Sequence, residues 1–325
     1  MIENGILNIN KPAGMTSHDV IYRVRRATGI KRVGHTGTLD PMATGVLPVC
    51  IGSAARITEY LDMDFKTYRC TMVLGKTTDT QDIWGEVLEE RPTTGIDRET
   101  ICRAFESFRG FIDQTPPMYS AVRIEGKRLY EYAREGKEVK VKSRRVYINS
   151  LEIEDIDLSQ MTVTFSVECS KGTYIRTICR DVGDVLGCGA CLIALTRTAS
   201  GAFKIEDAID LEKLIEMPIH EIESLMMEAD YPLVHFGKVM VDRATAKKFV
   251  DGFHLPLNKC RIISEPEFKE KDPVLEIKPE YKRAYNIYGD LSGKIVFLGV
   301  AFYNFKYKKL VADKVFARGD KIDNI

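Results

Sequence analysis

Between Met161 and Gly187 the hydrophobic pattern changes period once, and that change limits the folds open to this chain. Met161, Val163, Phe165, Val167 and Cys169 alternate, as in a strand with one buried face. After Lys171 and Gly172 turn the chain, Ile175, Ile178, Val182 and either Val185 or Leu186 fall at helical spacing, with Gly187 as the stop. The same mixture recurs elsewhere. Residues 5–10 and 67–74 read as strands. Thr16 or Ser17 caps a helix that carries Val20, Ile21 and Val24 and ends at Gly29. Asp97 starts another helix with Ile101, Phe105 and Phe108, closed by Gly110. Strands and helices do not alternate as regular βαβ units, so the pattern predicts an α+β fold rather than a doubly wound parallel sheet.

A chain of 325 residues that is 44% hydrophobic can bury a large core, and its length suggests two domains. The texture changes near Asp230. Tyr231 and Pro232 break the chain, a short helix follows at 244–250, and the rest reads as short strands with Phe297, Leu298, Val300 and Phe302 as core. This predicts a first domain over 1–230 and a small β-rich second domain over 231–325. Residues 264–279, rich in Glu, Lys and Pro, read as a loop insertion.

The 47 basic and 47 acidic residues cancel, so no global field marks nucleic acid or membrane as the partner. Any basic surface must be local, and two candidates stand out: Arg23, Arg25, Arg26, Lys31 and Arg32, and the run at 137–145. The opening residues lack a basic, apolar leader, and no stretch reaches the roughly 20 apolar residues that span a bilayer. A soluble, cytoplasmic chain is the expectation. Eight scattered cysteines read as reduced thiols. Cys188 and Cys191 have CxxC spacing, but without a second ligand pair they read as small core residues rather than a metal site.

The segment Gly34-His35-Thr36-Gly37-Thr38-Leu39-Asp40-Pro41 cannot be a helix interior and reads as a loop that fixes Asp40. It lacks the lysine of a phosphate loop and the serine of a nucleophile elbow. Two readings stay open. Asp40 caps its own backbone in an Asx-turn, or it is a carboxylate with basic neighbours that attacks a pyrimidine ring or a sugar anomeric carbon.

Several blocks carry a family resemblance. GHTGTLDPMATGVLPVCIGSAAR at 34–56, NINKPAGMTSHDV at 8–20, KTYRCTMVLGKTTDTQDIWG at 66–85, QTPPMYSAVRIEGKRLYEYAREG at 114–136, CSKGTYIRTICRDVG at 169–183 and CLIALTRTASGAF at 191–203 fall in one order. Together they resemble the TruB family of bacterial tRNA pseudouridine synthases, which act on the T-loop uridine 55. The resemblance covers residues 1 to about 210. Ala55, Arg123 and Thr196 depart from its usual pattern.

The resemblance implies a mixed, largely antiparallel catalytic sheet with flanking helices, and a PUA-like C-terminal domain set against the acceptor side of tRNA. It makes Asp40 the nucleophile and Arg176 its partner. Burial would raise the pKa of Asp40, and a guanidinium can oppose this through two parallel hydrogen bonds. Tyr68 and Tyr174 become contacts of a flipped base, Leu195 its apolar wall, and Tyr68 also a candidate for proton transfer at C5. His35 would fill the gap that the base leaves. Isomerisation requires no cofactor or metal. The expected partner is the T stem-loop of tRNA, docked by the basic patches, with a monomer acting without membrane or obligatory protein partner. Three rivals stay open: a guide-RNA-dependent uridine isomerase acting on ribosomal RNA, a tRNA chaperone without essential catalysis, and a glycosidase-like nucleosidase that would release free base.

Overall fold

The computed structural model describes residues 4–137, 139–267 and 278–317. Most of loop 264–279 therefore lies outside the described residues, as do residue 138 of the second basic run and residues 318–325. Two sheets organise the chain. The larger has ten strands, in the order Ile209–Asp210, Gly5–Lys11, Thr44–Ile51, Ala190–Ser200, Lys66–Leu74, Thr162–Cys169, Arg144–Asp157 and Gly110–Gln114. Val33–His35 pairs onto Thr44–Ile51, and Phe203–Lys204 onto Ala190–Ser200. Only two of these pairings are parallel, Gly5–Lys11 with Ile209–Asp210 and Ala190–Ser200 with Thr44–Ile51. The sheet is thus mixed and largely antiparallel, and the α+β reading holds.

The alternation that opened the sequence reading is the pattern of burial. Val163, Phe165, Val167 and Cys169 face the core, where the ring of Phe165 meets Phe105 edge-on at 5.0 Å. Helix Ser17–Thr28 begins at Thr16, whose hydroxyl accepts from the Asp19 amide while the Asp19 carboxylate accepts from the Thr16 amide. That reciprocal cap satisfies two amides that a helix start leaves unpaired. Gly29, at φ 71°, ends the helix. Helix Ile175–Leu186 buries Ile175, Ile178 and Val182, and of the two open choices Leu186 packs on the core while Val185 is exposed.

Two boundaries differ from the sequence reading. The helix that Asp97 caps ends at Glu106, and Gly110, at φ 80°, opens the next strand instead of closing the helix. Gly34 and His35 belong to a short strand, because the cross-strand bonds to Val49 and Cys50 outweigh weak local propensity. Tyr174 is the N-cap of helix Ile175–Leu186.

The smaller sheet has six strands, in the order Leu255–Pro256, Lys309–Val315, Lys294–Asn304, Ala284–Leu291, Gly237–Asp242 and Arg261–Ser264, with helix Arg243–Val250 packed on it. A separate apolar cluster joins the two sheets. Ile6, Val46, Ile57 and Tyr60 of the first part pack with Phe236, Tyr281, Val300 and Phe316 of the second.

Candidate active site

The loop after His35 is held by side chains from three other elements. Ser17, at the start of its helix, binds Leu39 twice: its Oγ donates to the Leu39 carbonyl at 3.2 Å and accepts from the Leu39 amide at 2.9 Å. Lys11, fully buried at the end of the first strand, donates to the carbonyls of Pro12 and Pro41 at 2.8 and 3.0 Å. Arg197, also fully buried, donates from Nη2 to the Gly37 carbonyl at 3.1 Å and from Nε to the Val46 carbonyl at 2.6 Å. Buried backbone polar groups in a loop cost energy unless paired. Here the pairing also fixes Asp40, whose own carbonyl accepts from the Ala43 amide at 3.1 Å.

Asp40 opens onto a pocket of about 350 Å³. Arg176 reaches it from the first turn of helix Ile175–Leu186, with Nε 3.0 Å from Asp40 Oδ2. The geometry differs from two parallel bonds to one carboxylate. Arg176 Nη1 donates to the Thr80 carbonyl at 2.9 Å and lies 3.4 Å from Asp82 Oδ2, while Nη2 donates to the Tyr119 carbonyl at 3.0 Å. The main chain therefore orients the guanidinium, and Asp40 takes the one edge left to it. Gln114 holds the start of the same helix, accepting from the Tyr174 amide at 2.9 Å and donating to the Tyr174 carbonyl at 3.1 Å.

The Asp40 side chain is 43% accessible, whereas that of Arg176 is 6% accessible. Burial raises the Asp40 pKa; Arg176 opposes this most strongly, Asp82 adds to it, and Lys11 opposes it. The upward direction prevails, so the cation moderates the cost of charging Asp40 without cancelling it. Lys11 is itself pushed down to about 8, mainly by burial and against the pull of Asp40.

Of the residues expected at the site, Asp40, Arg176 and Leu195 line the pocket. Tyr68 is not among the lining residues: it is buried in strand Lys66–Leu74 directly across from Arg197, and burial raises its phenol pKa. His35 is in the short strand before the loop. Burial pushes its imidazole down to about 4, with Arg197 adding to the effect, and its Nδ1 is buried without a partner. Tyr174 sits under the guanidinium of Arg144, 4.7 Å from the ring centroid. Asp82, Trp84, Tyr119 and Tyr130 also line it and were not singled out from sequence. They lie inside the resembling blocks, where the only tryptophan two residues after an aspartate, in a stretch without helical or strand periodicity, was the available signal. Cys188 and Cys191 are both buried, and burial pushes the Cys191 thiol up to about 11.

Comparison with known proteins identifies the family. Residues 25–175 match the TruB family pseudouridylate synthase N-terminal domain, and residues 176–232 match the tRNA pseudouridylate synthase B C-terminal domain. The boundary between the two matches is not a structural one, since strand Ala190–Ser200 lies in the middle of the larger sheet. The chain is 49% identical over 249 residues to a tRNA pseudouridine synthase B of Alkaliphilus oremlandii, covering 77% of this chain and 82% of that one. It is 41% identical over 317 residues to one of Clostridium perfringens, covering 96% and 100%. Among solved structures, a chain of a Cbf5-Nop10-Gar1 complex superposes with a TM-score of 0.70 at 24% identity, covering 98% of this chain and 86% of that one, which is a likeness of fold. With both family matches adjoining across the Asp40–Arg176 site, this chain belongs to the TruB family of pseudouridylate synthases, enzymes that isomerise uridine.

Proposed function

We propose that the chain isomerises the T-loop uridine 55 of tRNA to pseudouridine, with Asp40 as nucleophile. The observation that carries this reading is the ion pair between Asp40 and a guanidinium fixed by two main-chain carbonyls at the floor of a largely apolar pocket. A uracil fits such walls, because every base has a π-face that stacks on aromatic side chains at roughly 1–3 kcal/mol each. In the reaction the bond from C1′ to N1 breaks, a bond from C1′ to C5 forms, and the proton lost from C5 is balanced by one gained at N1. Asp40 attacks either C1′ or C6, and Arg176 keeps it ionised and aimed.

In this reading Leu195 forms an apolar wall, while Tyr68 and Tyr174 contact the flipped base and Tyr68 serves proton transfer at C5. His35, neutral at pH 7 given its lowered pKa, fills the gap in the RNA. The basic patches at Arg23 to Arg32 and Lys137 to Arg145 neutralise phosphates of the T stem. Residues 1–230 act as the catalytic domain and 231–325 as a PUA-like domain that adds RNA contacts. The enzyme works in the cytoplasm as a monomer, without cofactor or protein partner.

The test is incubation of purified protein with an unmodified tRNA transcript, followed by mapping of pseudouridine. Product at the T-loop uridine from the native chain and none from Asp40→Asn supports substrate, position and nucleophile together. Product at another uridine overturns the position, and undiminished product from Asp40→Asn overturns the nucleophile.

A further inference from the structure

Two cations beside the Asp40 loop are not fully accounted for by the ion pair and the loop contacts. Lys66 and Tyr68 share a face of strand Lys66–Leu74, and Arg197 lies across from Tyr68 on the neighbouring strand. Gly37 covers them. A Cβ built on Gly37 would lie 2.8 Å from Lys66 Nζ and 3.5 Å from Arg197 Nη1, so both charges approach one point. Arg197 spends Nε and Nη2 on carbonyls of the chain and also interacts with the Tyr68 hydroxyl, and its Nη1 is buried without a hydrogen bond of good geometry. Lys66 Nζ has no ion-pair partner among the described residues. Thr36 Oγ1 and His35 Nδ1, in the adjoining segment, are likewise buried and unpartnered.

This arrangement is costly for the fold alone. Burial and then the Arg197 charge push Lys66 down to about 8; Cys169 and Asp64 act the other way, and Lys171 adds to the lowering. Arg197 has a structural use in its contacts to the Gly37 and Val46 carbonyls. Lys66 makes no such contact with its ammonium, and a partly accessible ammonium supported from below by a second cation attracts an anion. The substrate class supplies one at every nucleotide. Strand geometry puts Lys66 about 7 Å along from Tyr68, which itself feels the charge of Asp40. That step is comparable to the reach from base to backbone within one nucleotide.

We propose that Lys66, with Arg197 beneath it, holds an RNA phosphodiester adjoining the nucleotide placed at Asp40. The proposal rests on the reading that the pocket takes a uridine, and its test is separable from that reading. T-arm stem-loop RNAs carrying one neutral methylphosphonate, at the linkage 5′ or 3′ to the target uridine or at distant linkages, are titrated against the wild type, Lys66→Met and Lys66→Arg. At one adjoining linkage the wild type loses about tenfold in affinity. Lys66→Met loses a similar factor with unmodified RNA and nothing further at that linkage, and its log–log salt slope falls by about 0.7 to 0.9. Lys66→Arg restores the slope and the sensitivity to that linkage.

Losses that multiply independently at every linkage overturn the proposal. So does inorganic phosphate raising the Tm of the wild type and not of Lys66→Met while the RNA cycle shows no coupling, since the site would then serve a free anion. Pseudouridine mapping on the wild type tells the two failures apart: product without coupling removes only the phosphate site, and no product removes the reading beneath it.

Discussion

At the residue scale, the raised pKa of Asp40 has two opposite consequences. The native carboxyl holds its proton more tightly than an unfolded one, so stability is lost as pH rises through the unfolded value of 3.8 toward the native value, and the loss is complete above both. Asp40→Asn therefore raises Tm at pH 7 and leaves it nearly unchanged at pH 3, which thermal denaturation at the two pH values reads directly. Activity runs the other way, because the nucleophile must be ionised. A plot of kcat/KM against pH falls on the acid side with a midpoint above the ordinary aspartate value, and Asp82→Asn, which removes a repelling charge, moves that midpoint down. Arg176→Lys keeps a charge but loses the planar fork that Thr80, Tyr119 and Asp40 share. Single-turnover kinetics should show a loss on the order of 10²- to 10³-fold, the scale of removing one oriented electrostatic partner.

At the element scale, the position of Arg176 depends on how closely its helix approaches strand Ala190–Ser200. Gly183 makes that approach possible: a Cβ there would lie 2.2 Å from the Ala190 amide nitrogen, which is backbone and cannot swing aside. Gly183→Ala must push the helix off the sheet, and overpacking of this kind costs typically 1–3 kcal/mol. The expected outcome is a lower denaturant midpoint together with a reduced kcat, measured on the same preparation. An unchanged kcat would separate the helix position from the site. Gly45 plays the same part for the loop, since its φ of 98° and the Arg197 carbonyl 2.2 Å from a built Cβ exclude any side chain. The sequence places glycines in both stretches, but nothing local distinguishes these two from turn glycines.

At the scale of the whole molecule, the two sheets are coupled by a shared apolar cluster rather than a bare linker. Tyr60 meets Phe236 and Tyr281 edge-on at 5.3 and 5.8 Å, and Tyr281 donates to the Glu59 carbonyl at 2.8 Å. Tyr60 also hydrogen-bonds Asp313, and Lys314 pairs with Glu59 at 2.8 Å. Truncation after residue 230 would expose Ile57 and Tyr60 with their neighbours, so the truncated chain should aggregate on heating whatever its catalytic competence. Tyr281→Ala in the full chain is the cleaner probe of coupling. It should lower Tm by several degrees and turn one calorimetric transition into two, and a single unshifted transition would show that the cluster does not couple the sheets.

What the sequence determined by itself was whatever depends on neighbours along the chain. Alternation at 161–169 marked a strand with one buried face, helical spacing at 175–186 marked a helix, Thr16 and Asp19 marked a cap, and the unusual loop singled out Asp40. The residue blocks pointed to the family, and with it to Arg176 and Leu195 in the pocket. Only tertiary structure decided what depends on distant segments. That Lys11, Ser17 and Arg197 serve the same loop, that Asp82 shares the Arg176 guanidinium, and that Lys66 lies against Gly37 follow from contacts between residues far apart in sequence. The direction of the Asp40 pKa belongs to the same class. Desolvation and charge act through space, so a carboxylate's ionisation is set by the walls that folding brings around it, and no local pattern records them.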